Sequence, residues 1–245
     1  MDPEKEQIRE QTFWKAKLAQ EASRFEDMAK YMKIVAEING PMSKEEDNMF
    51  AMAYKRILEH KRNSRRTLIT IEQNDASLLL DKEIVIEYRS QIETELQNIC
   101  SEVLLVIENT LIPKASNPSA KVFYWKLRGD YYRYMAELNE IDDRTTAVTE
   151  SQTAYEQASE ISRKSLCPTH PLRLGLMLNY SVFLYQICQE KSRGHQVANQ
   201  AYEDAIAEMD VLEVDSYNDS TLIMRLLRDN IKIWNQENGG TPEDE

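Results

Sequence analysis

The fold class follows from the stretch Lys121–Glu140, which has the sequence KVFYWKLRGDYYRYMAELNE. It contains no proline and a single glycine, and its apolar residues recur at the intervals of an α-helix. Lys126 and Arg133 lie seven residues apart, which is two helical turns, so they share one face. Tyr134 adds a hydroxyl beside them, and Gly129 marks a point where this helix can pack closely on a neighbour. In an acidic chain this stripe is either a solvated face or a surface that binds an anion.

The helical pattern extends over the whole chain. Between Pro41 and Pro113 there is no other proline and no glycine, and the alternation typical of a β-strand is nowhere sustained. The sequence therefore predicts an all-α protein, with a capping box at Ser43–Glu46 that begins a long helix. The predicted helices are Pro3–Gln20, Arg24–Ile38, Ser43–Asn74, Leu79–Leu111, Pro118–Ile141, Arg144–Ser165, Pro171–Gln189, Gly194–Met209 and Ser216–Asn235.

The composition excludes several classes of function. The chain has 245 residues and a formal net charge of −12, which argues against binding to nucleic acid or to an anionic membrane surface. No apolar run approaches the roughly 18 residues of a membrane span, and the N-terminus lacks a signal peptide, so we expect no membrane insertion. The three cysteines, Cys100, Cys167 and Cys188, indicate thiols in a reducing compartment.

The sequence lacks the motifs of common catalytic and metal sites. It has only three histidines, none of them three residues after a glutamate as in di-iron carboxylate bundles. It also has no His-Glu-x-x-His motif, Cys-x-x-Cys motif or phosphate-binding glycine loop. We therefore expect no enzyme, no catalytic residue, no metal and no cofactor. His60 and His195 are predicted to be exposed on helices, and His170 to be a loop or capping residue.

Further patterns have two readings each. Lys55 and Arg62 are seven residues apart and share one face of the long third helix. This face is either solvated or part of a phosphate site. Two apolar stripes read as core or as the wall of a groove: Leu174, Leu178, Val182 and Gln186, and Leu222, Leu226, Asn230 and Ile233. Asn179 and Asn230 border them, and their amides could hold the backbone of an extended peptide.

Four blocks in order resemble the 14-3-3 family of phosphoserine- and phosphothreonine-binding adaptors. They are residues 88–100, 129–137, 168–183 and 220–234, within a resemblance that runs from about Lys15 to Trp234. The resemblance implies nine antiparallel helices that form a cup-shaped protomer with a concave peptide-binding groove. It also implies a non-enzymatic adaptor in signal transduction that regulates phosphorylated partner proteins by clamping, masking or bridging them.

The resemblance assigns site residues by position. Those at phosphate-binding positions are Lys55, Arg62, Arg133 and Tyr134. Those at peptide-binding positions are Lys126, Asn179, Asn230, Leu178, Val182, Gln186, Leu222, Ile223, Leu226, Ile233 and Trp234. Those at dimer positions are Leu18, Ala22, Arg24, Ser64, Leu68, Ile71, Tyr88 and Glu95, with Arg24 and Glu95 as an ion pair across the dimer.

The implied organisation is a single domain over residues 1–245. Residues 1–90 form the dimerisation region and floor, residues 118–235 form the groove walls, and residues 237–245 form an acidic, disordered tail. The chain would pair with itself or with a paralogue, in the cytoplasm and also in the nucleus. The alternative is a helical-repeat scaffold that binds unphosphorylated peptides, which the paired helices and the groove would equally allow.

Three positions depart from the family pattern. Gln91 stands where the family often has a lysine that pairs with the position of Asp27, so one interface ion pair is missing. Arg65 stands in place of a common tryptophan, and Gln186 in place of a usual glutamate on the groove wall. The loss of that carboxylate removes a negative charge near Lys55.

Overall fold

The computed structural model describes residues 3–38, 40–73, 82–138, 141–209 and 217–237, apart from the side chains of residues 141 and 142. Across these residues the chain is helical and contains no strand, so the predicted all-α class is confirmed. No helix in the described part is both long and apolar enough to cross a membrane. The chain divides into two compact units, Met1–Ala115 and Ser116–Glu245.

The first unit contains four long helices. They are α1 (Pro3–Glu21), α2 (Phe25–Glu37), α3 (Lys44–Gln73) and α4 (Lys82–Val106). The predicted end at Leu111 is wrong, because the helical run that begins with α4 continues through a π-helical turn, Ile107–Leu111, and a short helix, Ile112–Lys114. In that turn the Ile112 N–H bonds the Ile107 carbonyl, so the hydrogen bonds change register just ahead of Pro113, which has no N–H to donate.

The predicted capping box at the start of α3 is confirmed. The Ser43 N–H donates to Glu46 Oε2 at 2.7 Å, and the Glu46 N–H donates to Ser43 Oγ at 3.2 Å. Arg9 on α1 also binds this carboxylate through Nε and Nη2, at 2.9 and 2.8 Å. Burial would raise the pKa of Glu46, but the hydrogen bonds from Arg9 and Ser43 outweigh it and lower the pKa. One carboxylate therefore both caps α3 and fixes α1 against it.

A lysine caps the C-terminal end of α2. Lys114 Nζ donates to the carbonyls of Ala36, Glu37 and Ile38 at 3.0, 3.4 and 3.1 Å. These carbonyls have no helical partner of their own, and the ammonium also suits the negative end of the helix dipole. Burial lowers the pKa of Lys114 from its ordinary value.

The second unit contains the remaining five long helices. They are α5 (Pro118–Leu138), α6 (Ile141–Ser165), α7 (Pro171–Val182), α8 (Lys191–Ala207) and α9 (Tyr217–Glu237), with a π-helical turn at Phe183–Ile187 after α7. The described residues thus form nine helices of at least 12 residues, the predicted number. Glu237 belongs to α9 and accepts a hydrogen bond from the Tyr185 hydroxyl at 2.7 Å, so the predicted tail begins too early. The rest of that tail, residues 238–245, lies outside the described residues.

Two glycines allow close packing in this unit. A Cβ on Gly129 would lie 2.8 Å from the Tyr155 ring, which confirms the predicted close packing on a neighbour and shows that the neighbour is α6. A Cβ on Gly194 would lie 2.8 Å from the Ser181 carbonyl oxygen. The prediction that α8 begins at Gly194 is therefore wrong, because α8 begins at Lys191 and this glycine serves helix contact rather than a helix boundary.

The histidines fall into three environments. His60 is exposed on α3, as predicted. His170 is the N-cap of α7, where its Nδ1 accepts from the Leu172 N–H at 3.1 Å. The prediction for His195 is wrong, because this residue is half-buried and its Nε2 is buried without a hydrogen-bond partner among the described residues.

Candidate functional site

The basic stripe on α5 is built around a carboxylate that the sequence prediction left out. Asp130 lies between Lys126 and Arg133 and is only 5% exposed. Lys126 Nζ lies 2.7 Å from Asp130 Oδ2, and Arg133 Nη1 lies 3.0 Å from Glu137 Oε1. The two cations are therefore held in place within α5, with side chains 18% and 12% exposed.

Asp130 joins three helices through hydrogen bonds. Its Oδ1 accepts from the Tyr155 hydroxyl of α6 at 2.6 Å and from Asn179 Nδ2 of α7 at 2.7 Å. The Tyr155 hydroxyl in turn accepts from Arg133 Nε at 3.4 Å. We call Lys126, Asp130, Arg133, Tyr155 and Asn179 the α5 polar cluster. Because hydrogen bonds hold every one of these side chains, the cluster has little conformational freedom to lose on binding.

The pKa values of the α5 polar cluster favour fixed charges. Burial would raise the pKa of Asp130, but the charges of Lys126 and Arg133 outweigh it and lower the pKa below its ordinary range. Burial, followed by the charge of Asp130, raises the pKa of Tyr155 well above its ordinary value. Burial would lower the pKa of Arg133, but nearby Tyr155, Tyr134 and Asp130 outweigh it and raise the pKa, so Arg133 keeps its charge as well.

The four predicted phosphate ligands are divided between the two units. Arg133 and Tyr134 are on α5, where the Arg133 guanidinium lies 4.5 Å from the centre of the Tyr134 ring. Lys55 and Arg62 are on α3 of the first unit. Lys55 is exposed and lies 3.7 Å from Glu59, whereas Arg62 is half-buried. Convergence of these four residues stays a prediction.

The predicted peptide-binding residues between α7 and α9 differ in solvent exposure. Leu222, Leu226 and Ile233 are exposed by 55, 45 and 51%. The half-buried members are Leu178, Val182, Ile223, Asn179 and Asn230, whereas Gln186 is exposed. The apolar stripes therefore supply both core and surface, since Leu174 on the same stripe is fully buried.

Trp234 is placed differently from the other predicted peptide-binding residues. It is 4% exposed, and its ring stacks on Tyr185 with centroids 4.2 Å apart and an angle of 8° between the planes. It belongs to the core cluster that also contains Leu174 and Leu227. Trp234 is therefore a core residue of the second unit and exposes little surface that could contact a peptide.

All eight predicted dimer residues lie in the first unit. Leu18 and Tyr88 are 67 and 54% exposed. Ala22 and Arg24 are also exposed, and the half-buried members are Ser64, Leu68, Ile71 and Glu95. Within the protomer Arg24 forms an ion pair with Asp27, and Glu95 binds Lys61 at 2.6 Å. The predicted Arg24–Glu95 pair across a dimer would have to share or exchange these partners.

One departure from the family pattern has a local partner. Arg65 Nε lies 2.7 Å from Glu93 Oε1, which also binds Arg89 Nη1 at 2.9 Å. Arg65 thus links α3 to α4 through an ion-pair network. Among the described residues there is no group of histidine, cysteine, aspartate or glutamate side chains that could hold a metal ion.

Comparison with known proteins gives one consistent result. A family model described as 14-3-3 protein matches residues 15–235. The chain is 47% identical to 14-3-3 protein beta/alpha-1 of Oncorhynchus mykiss over 230 residues, which cover 94% of each chain. It is 47% identical to 14-3-3 protein zeta of Bombyx mori over 232 residues, 95% of this chain and 94% of the relative. It is also 47% identical to 14-3-3 protein beta/alpha of Homo sapiens over 94% of each chain.

Proposed function

Since this chain belongs to the 14-3-3 family of adaptor proteins, we propose that it is a dimeric adaptor that binds phosphoserine or phosphothreonine motifs of partner proteins. It would regulate these partners by clamping, masking or bridging them, and would carry no catalytic activity. None of its three cysteines, all in the described part, is in a disulfide, which fits a reducing compartment such as the cytoplasm.

The observation that carries this proposal is the α5 polar cluster. It holds two cations on one helix face, and the buried Asp130 fixes Lys126 directly. A phosphate brings close to two negative charges and three acceptor oxygens, and guanidinium groups bind it in a bidentate manner. In this proposal Arg133 and Tyr134 bind the phosphate together with Lys55 and Arg62. Each charge-assisted hydrogen bond contributes about 1.5–3 kcal/mol.

The orientation of Asn179 fits contact with a peptide backbone. A carboxylate can only accept, so the amide nitrogen of Asn179 must face Asp130, 2.7 Å away. The amide oxygen of Asn179 then points elsewhere and can accept from a peptide N–H. Asn230 on α9 is proposed as a second amide contact, and the exposed Leu222 and Leu226 as apolar wall. Lys126 would reach the peptide beside the phosphate.

A peptide titration tests the proposed function. We expect a labelled phosphoserine peptide with an upstream arginine to bind at least about 100-fold more tightly than its unphosphorylated twin, since two or more charge-assisted hydrogen bonds are lost without the phosphate. Fluorescence anisotropy measures both affinities. Equal affinities would overturn the proposal and favour a scaffold for unphosphorylated peptides.

The dimer is proposed from exposed apolar side chains of the first unit. Leu18 and Tyr88 are large and more than half exposed, and a two-fold contact would remove both from water in each protomer. Two sites at a fixed separation would also raise the affinity for a doubly phosphorylated partner.

Charge introduced at Leu18 tests this interface. Leu18→Asp is expected to raise the dimer dissociation constant at least about tenfold, because a carboxylate without a partner would be buried in the contact. Sedimentation equilibrium measures the constant. The matched control is Leu105→Asp, which alters another apolar residue of the first unit, 60% exposed and outside the predicted interface. An equal change in both variants, or none in either, would count against this interface.

A further inference from the structure

A cavity of about 550 Å³ opens between α6, α7 and α8 of the second unit. We propose that it binds a small organic anion with an apolar body. None of the residues proposed for phosphate, peptide or dimer contacts lines this cavity. The proposal therefore does not depend on the proposed adaptor function.

The shape of the cavity suits a small ligand. Its volume lies within the roughly 300–1,000 Å³ of typical ligand pockets. Leu174, Met177 and Val197 supply buried or half-buried apolar wall. Ser159, which is 7% exposed, lines the same wall with a small polar side chain, so a body of one or two rings could enter beside it.

The acidic side chains of the cavity already have partners. Glu156 Oε1 accepts from Gln152 at 3.0 Å and from Arg193 at 3.1 Å. Glu160 binds Lys164, which is not a lining residue, at 2.6 Å. One oxygen of each of these carboxylates is therefore already engaged by a neighbouring side chain.

The third acidic residue of the lining, Asp204, and one of its three arginines, Arg193, also have hydrogen-bond partners. Asp204 Oδ1 accepts from Gln200 Nε2 at 2.7 Å. Arg193 uses its guanidinium on Glu156 and on Glu190, at 3.1 and 3.0 Å. Guanidinium donors without a close acceptor must therefore lie on the other two arginines.

Two guanidinium groups keep donors for a ligand. Arg163 forms no ion pair with any residue in the described ranges, and Glu160, one turn before it, is already bound to Lys164. Arg173 gives Nη1 to the Leu166 carbonyl at 2.9 Å, and its Nη2 forms an ion pair with Asp204 that, at 3.7 Å, is too long for a hydrogen bond. The three acids and three arginines of the lining balance in formal charge, so the preference for an anion rests on these guanidinium donors that have no close acceptor.

The head group of the ligand follows from these donors. A carboxylate or a phosphate accepts paired hydrogen bonds from a guanidinium, and both match Arg163 and Arg173. The net charge of −12 disfavours polyanions, so we assign one such head group joined to an apolar body. The body would cover Leu174, Met177 and Val197.

Calorimetric titration of the full chain with four probes tests the ligand class. The probes are 1-naphthoate, 1-naphthyl phosphate, the neutral 1-naphthalenemethanol and inorganic phosphate. We expect at least one of the two aromatic anions to bind about tenfold more tightly than either the neutral aromatic or inorganic phosphate. The tighter of the two anions identifies the head group. Binding of the neutral aromatic as tightly as both anions would overturn the proposal.

Three variants locate the binding. Arg163→Gln is expected to weaken binding of the tighter aromatic anion about tenfold. The matched Arg225→Gln is expected to change it less than about twofold, because Arg225 is exposed on α9 and does not line the cavity. Ser159→Phe is expected to abolish binding by filling the cavity. Arg163 is exposed, so its variant keeps the test valid even if Ser159→Phe fails to fold. Equal weakening by Arg163→Gln and Arg225→Gln would overturn the site.

Discussion

Lys55→Glu is expected to lower the affinity for the phosphoserine peptide at least about 100-fold, because it removes a charge-assisted hydrogen bond and adds repulsion. The fold should not change. The Lys55 side chain is 69% exposed, and its ion pair with Glu59 is 3.7 Å long, so it contributes little to stability. Fluorescence anisotropy measures the affinity, and circular dichroism with thermal unfolding checks the fold.

The matched control for this variant is Lys30→Glu. It makes the same charge change at an exposed lysine of α2 that has no assigned role in binding. We expect it to lower the affinity for the peptide less than about threefold, through the long-range electrostatic field alone. A similar loss in both variants would show that overall charge rather than contact at Lys55 governs binding. Arg133 is a poorer choice for this test, since it also holds Glu137 and Tyr155.

Local chemistry explains why the fold could be predicted so far from the sequence. The Ser43–Glu46 capping box and the N-cap at His170 act within a few residues, and both are found where the pattern predicts them. The predicted helix boundaries are wrong where contacts between residues distant in sequence determine the structure. The pattern predicts a helix start at Gly194, but the place of this glycine is set by the Ser181 carbonyl of the preceding helix. Such contacts leave no periodic signal.

The same limit applies to the candidate site. The stripe of Lys126 and Arg133 was visible from spacing alone. Asp130, four residues after Lys126, could have been found as an ion-pair partner, but burial and its bonds to Tyr155 and Asn179 depend on α6 and α7. Spacing shows which side chains share a face, whereas it cannot show which of them a neighbouring helix covers.

Asp130→Ala is expected to lower the free energy of unfolding by about 3–5 kcal/mol, as breaking a buried charge pair does. It would leave Lys126 Nζ, the Tyr155 hydroxyl and Asn179 Nδ2 without their shared acceptor. Urea unfolding followed by circular dichroism measures the change. The control is Asp229→Ala, at an exposed aspartate of α9 paired with its neighbour Arg228, and its effect should stay within about 0.5 kcal/mol.

The pH dependence of these two variants separates charge from packing. The pKa of Asp130 is lowered by folding, so its charge stabilises the protein fully above the unfolded pKa of about 3.9 and less as the pH falls through the folded pKa. The stability difference between the parent protein and Asp130→Ala should therefore be constant above about pH 5 and narrow below about pH 4. Asp229→Ala should show no comparable narrowing. A difference for Asp130→Ala that stays constant down to acid unfolding would mean that Asp130 acts through its shape rather than its charge.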